Sequence, residues 1–149
     1  MAAWITFSAL DDLYQHVHEL PEDDGSLRRL LQEIALPFVA TASDYTVYCQ
    51  RFRHGFRSEY ERMFALLMVQ KWKWKVSYEP IALRTGEHSL YVPDFFVVVP
   101  RLCFIEVKGE WRTGAQRKFK KALELFGKDR MLLVGNSLYR EICKEASRL

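Results

Sequence analysis

The sequence predicts an α/β (α+β) domain in which a mixed central sheet is flanked by helices and preceded by a helical lead-in. Three observations support this class. Hydrophobic residues make up 49% of the 149 residues, which is enough for one sizeable core. Charged residues make up 28%, an ordinary share for a globular protein. Amphipathic helical patterns also alternate with short apolar runs of strand length, the arrangement typical of helices packed on a sheet.

Residues 1–50 form the predicted helical lead-in. Ser8 and Ser26 stand where they would cap two helices, which end near Glu19 and Pro37. A short strand is predicted over 45–52. The lead-in is acidic, because residues 1–27 contain no Lys or Arg but six carboxylates: Asp11, Asp12, Glu19, Glu22, Asp23 and Asp24. Three roles remain open for these helices: dimerisation, docking of a protein partner, and mimicry of DNA by an acidic face.

Residues 51–149 form the predicted core. Apolar residues at helical spacing predict a helix over 58–72. Apolar runs predict three strands, the second of them buried on both faces, and a tight turn at Pro100-Arg101 joins the last two. A basic amphipathic helix, a short strand and a final helix capped by Ser137 follow. The predicted strands span 74–83, 89–99, 102–108 and 131–134, and the basic helix spans 115–126.

Cysteine usage and hydropathy narrow the function classes. Three widely spaced cysteines without a CxxC pair indicate neither a disulfide framework nor a zinc knuckle. The absence of HxxxH and HExxH spacings disfavours a zinc hydrolase. No apolar run has the length of a membrane span, and no signal-peptide pattern opens the chain. We therefore expect an intracellular protein with no membrane partner, and if its source is a phage or a bacterium, we expect it in the cytoplasm or nucleoid of the bacterial host.

Two short charged motifs interrupt the apolar strands of the predicted core. Side chains two apart on a strand share a face, so Glu106 and Lys108 point the same way while Val107 points into the core. Asp94 follows Pro93 inside another apolar run. Proline cannot donate a ladder hydrogen bond, so strand pairing should break beside Asp94. If the two strands form a hairpin, the two carboxylates meet at that break.

Two converging carboxylates provide the oxygen ligands that Mg²⁺ prefers. Asp94 and Glu106 are therefore the predicted ligands, and the Val107 carbonyl is a third. Lys108 would stabilise charge on a phosphoryl group or help to deprotonate a water. Glu61, three residues after Ser58, is either the far half of a capping box or a ligand of a second metal position. The alternative for the whole motif is structural, with a turn-capping Asp94 and an ion pair between Glu106 and Lys108 on an edge strand.

Several motifs in this part of the chain resemble the PD-(D/E)xK nuclease superfamily. In order they are Phe56-Arg57-Ser58-Glu59-Tyr60-Glu61, Tyr78-Glu79, Tyr91-Val92-Pro93-Asp94-Phe95, Phe104-Ile105-Glu106-Val107-Lys108-Gly109 and Trp111. They are most similar to the FRSxxE, YE, YxPDF and ExKGxW elements of phage endonuclease I, the junction-resolving type. The cleavage subunit of heteromeric bacterial transposases shares the pattern.

The resemblance implies a restriction-endonuclease-like core that hydrolyses phosphodiester bonds with Mg²⁺ or Mn²⁺. It implies Asp94 and Glu106 as metal ligands, Lys108 as the catalytic lysine and Glu61 as the carboxylate from the helix. The expected activity is that of a DNA endonuclease acting on branched, Holliday-junction-like DNA or at a specific duplex site, in DNA processing or recombination. A homodimer would fit, because cutting two strands with one site each requires two sites.

Basic residues around these motifs are the candidates for phosphate contacts, because Lys and Arg bind the nucleic-acid backbone. The candidates are Arg57, Arg112, Arg117, Lys118 and Lys121. Two alternatives stay open at this level. One is a catalytically silent nuclease-like module that binds nucleic acid or protein. The other is an RNA-cleaving enzyme of the same fold, with bases stacked on Trp72, Trp74 or Trp111.

Overall fold

The computed structural model describes residues 4–37, 56–111 and 114–149, and over these ranges it confirms a mixed α and β class. No helix in these ranges is long and apolar enough to cross a membrane. The strand predicted over 45–52 lies outside the described residues. The helices are α1 (Leu10–Glu19), α2 (Ser26–Ile34), α3 (Glu59–Leu66), α4 (Ala115–Phe126) and α5 (Tyr139–Ala146). The strands are β1 (Ala35–Pro37), β2 (Lys75–Tyr78), β3 (Ile81–Gly86), β4 (Ser89–Tyr91), β5 (Phe95–Val99), β6 (Cys103–Val107) and β7 (Met131–Val134).

The described strands form two sheets. The larger has the order β2-β5-β6-β7, and it is mixed because β6 and β7 run parallel while the other pairs are antiparallel. The smaller is antiparallel, with the order β1-β3-β4. The mixed central sheet was predicted, whereas the second sheet was not. A π-helical turn, Leu67–Lys71, continues α3, so the helix predicted over 58–72 is confirmed with an irregular end.

Two of the predicted strands are each divided between the two sheets. The prediction of one strand over 74–83 was wrong, because the chain leaves the larger sheet after β2 and enters the smaller one at β3. The prediction over 89–99 was wrong in the same way, since β4 and β5 belong to different sheets. Glu79, with φ of 45°, turns the chain at the first crossing. Pro93, which lacks an N–H, lies in the second.

The core lies on both faces of β6, whose five residues are all buried. Cys103, Ile105 and Val107 belong to a larger cluster that includes residues of α1, α3 and α5. Phe104 belongs to a smaller cluster beneath α4, together with Phe119. The alternation predicted for this strand is therefore confirmed, and it leaves Glu106 on the α4 side of the sheet.

The lead-in packs on the same core, with Leu13 and Val17 of α1 fully buried in the larger cluster. The caps predicted at Ser8, Ser26 and Ser137 were wrong. Ala9 precedes α1 without a side-chain cap, and Ser137 donates its hydroxyl proton to the Phe7 carbonyl. Ser26 is the first residue of α2 and follows the N-cap Gly25, and its N–H donates a hydrogen bond to the Asp24 carboxylate. The domain boundary predicted at residue 50 falls outside the described residues and stays a prediction.

Candidate functional site

Asp94 and Glu106 meet beside the paired strands β5 and β6. The register that joins Phe95 to Ile105 brings the preceding Asp94 opposite Glu106. Asp94 Oδ2 accepts a hydrogen bond of 2.7 Å from the Val107 N–H, which anchors its carboxylate on β6. Glu106 accepts a hydrogen bond from the hydroxyl of Tyr91, at the end of β4. The convergence predicted from the hairpin is thus present, and both side chains are buried, at 7% and 3% exposure.

Glu61 joins them from α3. Ser58 caps this helix by accepting a hydrogen bond of 3.1 Å from the Glu61 N–H. The Glu61 carboxylate accepts a hydrogen bond from the Tyr78 hydroxyl of β2. One half of the expected capping box is therefore formed by the backbone of Glu61, while its side chain lies among the other acidic groups.

Glu79, to which the sequence analysis had assigned no role, completes a group of three carboxylates with Glu61 and Asp94. One oxygen each of Glu61, Glu79 and Asp94 lies within 4.8 Å of the others. The Glu79 N–H donates a 2.8 Å hydrogen bond to the Asp94 carbonyl, so the two crossings between the sheets are joined at this point. The available signal was a carboxylate between the end of a strand and Pro80, within the Tyr78-Glu79 motif, but a single residue pair did not distinguish it from a turn.

Burial governs the protonation of these carboxylates. Loss of hydration, reinforced by the neighbouring Asp94 charge, raises the pKa of Glu61 to about 8. Burial and the adjacent Glu106 raise the pKa of Asp94 well above its ordinary range. Burial also raises the pKa of Glu106, and hydrogen bonds from Asp94 and Tyr91 oppose that rise. Because two buried carboxylates in contact resist joint ionisation, a negative charge on either Asp94 or Glu106 makes ionisation of the other harder.

Lys108 lies directly after β6 and is half-buried. Its ammonium acts on three carboxylates at once, because its charge lowers the pKa of Glu61, Asp94 and Glu106 against the effect of burial. The backbone N–H of Lys108 donates a 2.9 Å hydrogen bond to the Val134 carbonyl of β7, which extends the β6–β7 pairing to Lys108. The four residues predicted to be catalytic are thus brought together.

The donor set fits a hard divalent cation, since it consists of carboxylate oxygens and includes neither thiolate nor imidazole ligands among the described residues that converge here. A cation would also relieve the repulsion between these buried anions. Val107 enters the site through its N–H bond to Asp94. The predicted coordination by its carbonyl stays a prediction.

The predicted phosphate contacts lie in two places. Arg57 pairs with Glu79 at the acidic group, with Nε 3.0 Å from Oε1. Arg117 and Lys118 are exposed on α4, and Lys121 on the same helix is half-buried. Phe119 of α4 packs on the ring of Tyr91, with centroids 6.4 Å apart, so this helix adjoins the site through the partner of Glu106. Arg112 lies outside the described residues.

The tryptophans considered for base stacking are at least partly used in packing. Trp74 is 4% exposed, and its ring lies 4.7 Å from that of Trp72. Trp111 is half-buried and contacts the rings of Trp4 and Phe119. Trp111 is linked to the site indirectly, because Phe119 packs on Tyr91, whose hydroxyl bonds to Glu106.

Comparison of the chain with known protein families, with curated proteins and with solved structures finds no match. The assignment of a function therefore depends on the chemistry of these residues and on the motif resemblance.

Proposed function

We propose that the protein belongs to the class of divalent-metal-dependent phosphodiesterases. Within that class, we propose a DNA endonuclease of the PD-(D/E)xK type that uses Mg²⁺ or Mn²⁺. The observation that carries the proposal is geometric: the β5–β6 register and the Val107 N–H bond to Asp94 bring Asp94 beside Glu106, and Lys108 follows directly after β6. Desolvated charges of this kind are costly to place between apolar strands, so a purely structural role would need a compensating benefit.

Asp94, Glu106 and Glu61 would hold the metal. A bound divalent cation supplies Lewis-acid polarisation of a phosphoryl oxygen. Tyr91 and Tyr78 orient two of these carboxylates through their hydroxyl groups. Such support from neighbouring hydrogen bonds is typical of metal ligands and limits their rotation.

Lys108 would act on the substrate side of the carboxylates. Its ammonium would stabilise the negative charge that develops on the phosphoryl oxygens as a nucleophilic water attacks. The exposed basic residues of α4 would hold the DNA backbone by electrostatic attraction, independent of sequence.

Cleavage assays with defined substrates test this function. A labelled four-way junction, linear duplex, single-stranded DNA and RNA are each incubated with Mg²⁺ and with EDTA. We expect Mg²⁺-dependent cutting of DNA, with the junction or the duplex preferred, and loss of cutting in Asp94→Ala and Lys108→Ala. Absence of metal-dependent cleavage from every substrate would refute the enzyme assignment. Wild-type activity in both variants would refute the site, and cleavage of RNA alone would favour the ribonuclease alternative.

A further inference from the structure

The ion pair between Arg57 and Glu79 links the acidic site to the protein surface. Glu79 is 4% exposed, and its carboxylate belongs to the group formed with Glu61 and Asp94. The side chain of Arg57 is 48% exposed, although its Nε lies 3.0 Å from Glu79 Oε1. A buried carboxylate thus holds a cation that extends from the site into solvent.

Arg57 is also attached to the site through its backbone. Its N–H donates a 3.2 Å hydrogen bond to the Tyr78 hydroxyl, and that hydroxyl donates to Glu61. The guanidinium of Arg57 is therefore held by Glu79 directly, and its main chain is linked to Glu61 through the Tyr78 hydroxyl. Attachment at two points reduces the side-chain freedom that an exposed arginine would otherwise lose on binding a ligand.

The chemistry of arginine indicates what this cation binds. A guanidinium stays charged over the whole physiological pH range and matches the geometry of phosphate oxygens. It has five N–H donors in a planar fork, so one guanidinium can bridge a carboxylate and a phosphate. A phosphate group held by the metal-binding carboxylates would lie next to this side chain.

We propose that Glu79 is a positioning residue, which orients Arg57 to bind a phosphate of the DNA backbone at the acidic site. The inference rests on the proposed function and extends it. The motif resemblance assigns metal binding or catalysis to Glu61, Asp94, Glu106 and Lys108, and it leaves Glu79 without a role. The competing assignment, in which Glu79 itself is a metal ligand, predicts different measurements.

The test combines Glu79→Gln, Arg57→Gln and the double variant with Glu79→Asp as the conservative replacement. Arg117→Gln, at an exposed arginine of α4, is the matched control. DNA affinity is measured by fluorescence anisotropy in a Lys108→Ala background, so that cleavage does not interfere. Mn²⁺ affinity is measured without DNA by electron paramagnetic resonance, and KM and kcat are measured with Lys108 intact.

We expect each single variant to weaken DNA binding about tenfold and to raise KM more than it lowers kcat. The double variant should be no weaker than either single one, because both remove the same contact. Glu79→Asp should recover part of the loss, Arg117→Gln should behave additively with Glu79→Gln, and Mn²⁺ affinity should stay at the wild-type level. Arg57→Gln should reduce the slope of affinity against salt by about 1.

Two results would overturn the inference. A loss of Mn²⁺ affinity in Glu79→Gln but not in Arg57→Gln would make Glu79 a metal ligand. Additive losses for Arg57 and Glu79 would show that they act independently. If Glu79→Gln proves unstable in thermal melts, the Arg57→Gln salt slope and KM still decide whether the arginine contacts phosphate. Failure of the nuclease proposal is separate, because it appears as absent cleavage in the wild type while the binding coupling remains measurable.

Discussion

Between β2 and β5 the chain crosses twice between its two sheets, at Glu79 and at Pro93-Asp94, and each of these crossings carries one carboxylate of the site. At the second crossing Asp94 directly precedes β5 and is buried. Its carboxylate accepts a hydrogen bond from the Val107 N–H of β6 and contacts Glu106. At the first crossing Glu79 is equally buried, but it pairs with the half-exposed Arg57. Glu79 and Asp94 are thus buried to a similar extent but have different partners, so similar burial permits different chemistry. Both carboxylates have acidic neighbours, but only Glu79 of the two pairs with an arginine, which favours the positioning of a surface cation, whereas Asp94 is better suited to a metal.

The largest expected effect is a difference in kcat between a substitution at Asp94 and one at Glu79. Asp94→Asn keeps an oxygen that can accept from the Val107 N–H but removes the charge, and we expect the cleavage rate to fall about 10³-fold. Glu79→Gln should have a much smaller effect on kcat. Rates at saturating DNA and Mg²⁺ test this difference, with circular dichroism to verify the fold. Equal losses in kcat at the two positions would remove the distinction between the crossings.

Neighbouring residues at the second crossing should change stability in opposite directions. Phe95 is fully buried against the rings of Phe64 and Tyr78, so Phe95→Ala should lower the free energy of unfolding by about 3–5 kcal/mol. Asp94→Asn should raise it in metal-free protein, because the mutation removes a carboxylate that burial and Glu106 disfavour. Urea titrations in EDTA measure both, with Val98→Ala as the exposed control. A lower free energy of unfolding in Asp94→Asn would contradict this prediction, because it would show that the Asp94 carboxylate stabilises the metal-free fold.

In EDTA, the free energy of unfolding should fall as the pH rises through the range in which the site carboxylates lose their protons. The pKa of Glu61 is raised from 4.5 to about 8 in the folded state, so between these values the folded protein keeps a proton that the unfolded chain releases. The free energy of unfolding therefore decreases with pH in this window, by at most about 1.4 kcal/mol per pH unit for this group.

Unfolding curves between pH 5 and 8 measure that slope. Glu61→Gln should make it shallower, with the contributions of Asp94 and Glu106 remaining, whereas Glu124→Gln, an exposed change on α4, should leave it as in the wild type. Saturating Mg²⁺ should also reduce the slope, because a bound cation favours the ionised carboxylates. A stability that rises with pH in EDTA would contradict the prediction.

The smallest expected effect concerns the helix beyond the second crossing. Arg117→Gln and Lys118→Gln remove exposed charges of α4, and each should weaken DNA binding by a few-fold while leaving kcat unchanged. Affinity measured at several salt concentrations tests this, with Lys144→Gln on α5 as the control. If the control weakens binding equally, the interaction reflects net charge instead of a specific basic surface.

Much of the fold was predictable because it depends on local patterns. The boundaries of α4 and β7 agree with the predicted ranges. The alternation along β6 correctly placed Glu106 and Val107 on different faces of the sheet. The three-stranded sheet was not predictable. Apolar runs mark which segments are strands, but a run gives no signal when the chain changes sheets partway along it, as it does at Glu79 and Pro93.

The sequence by itself determined which charged residues stand among apolar strands, and it therefore singled out Asp94, Glu106 and Lys108 as candidate site residues. Only the tertiary structure decided what surrounds them. Glu79 and Tyr91 reach the site because distant strands meet there, and Arg57 lies beside it because α3 begins at that edge. The physical reason is that periodicity encodes the face on which a side chain lies, whereas contact across elements depends on the packing of the whole chain.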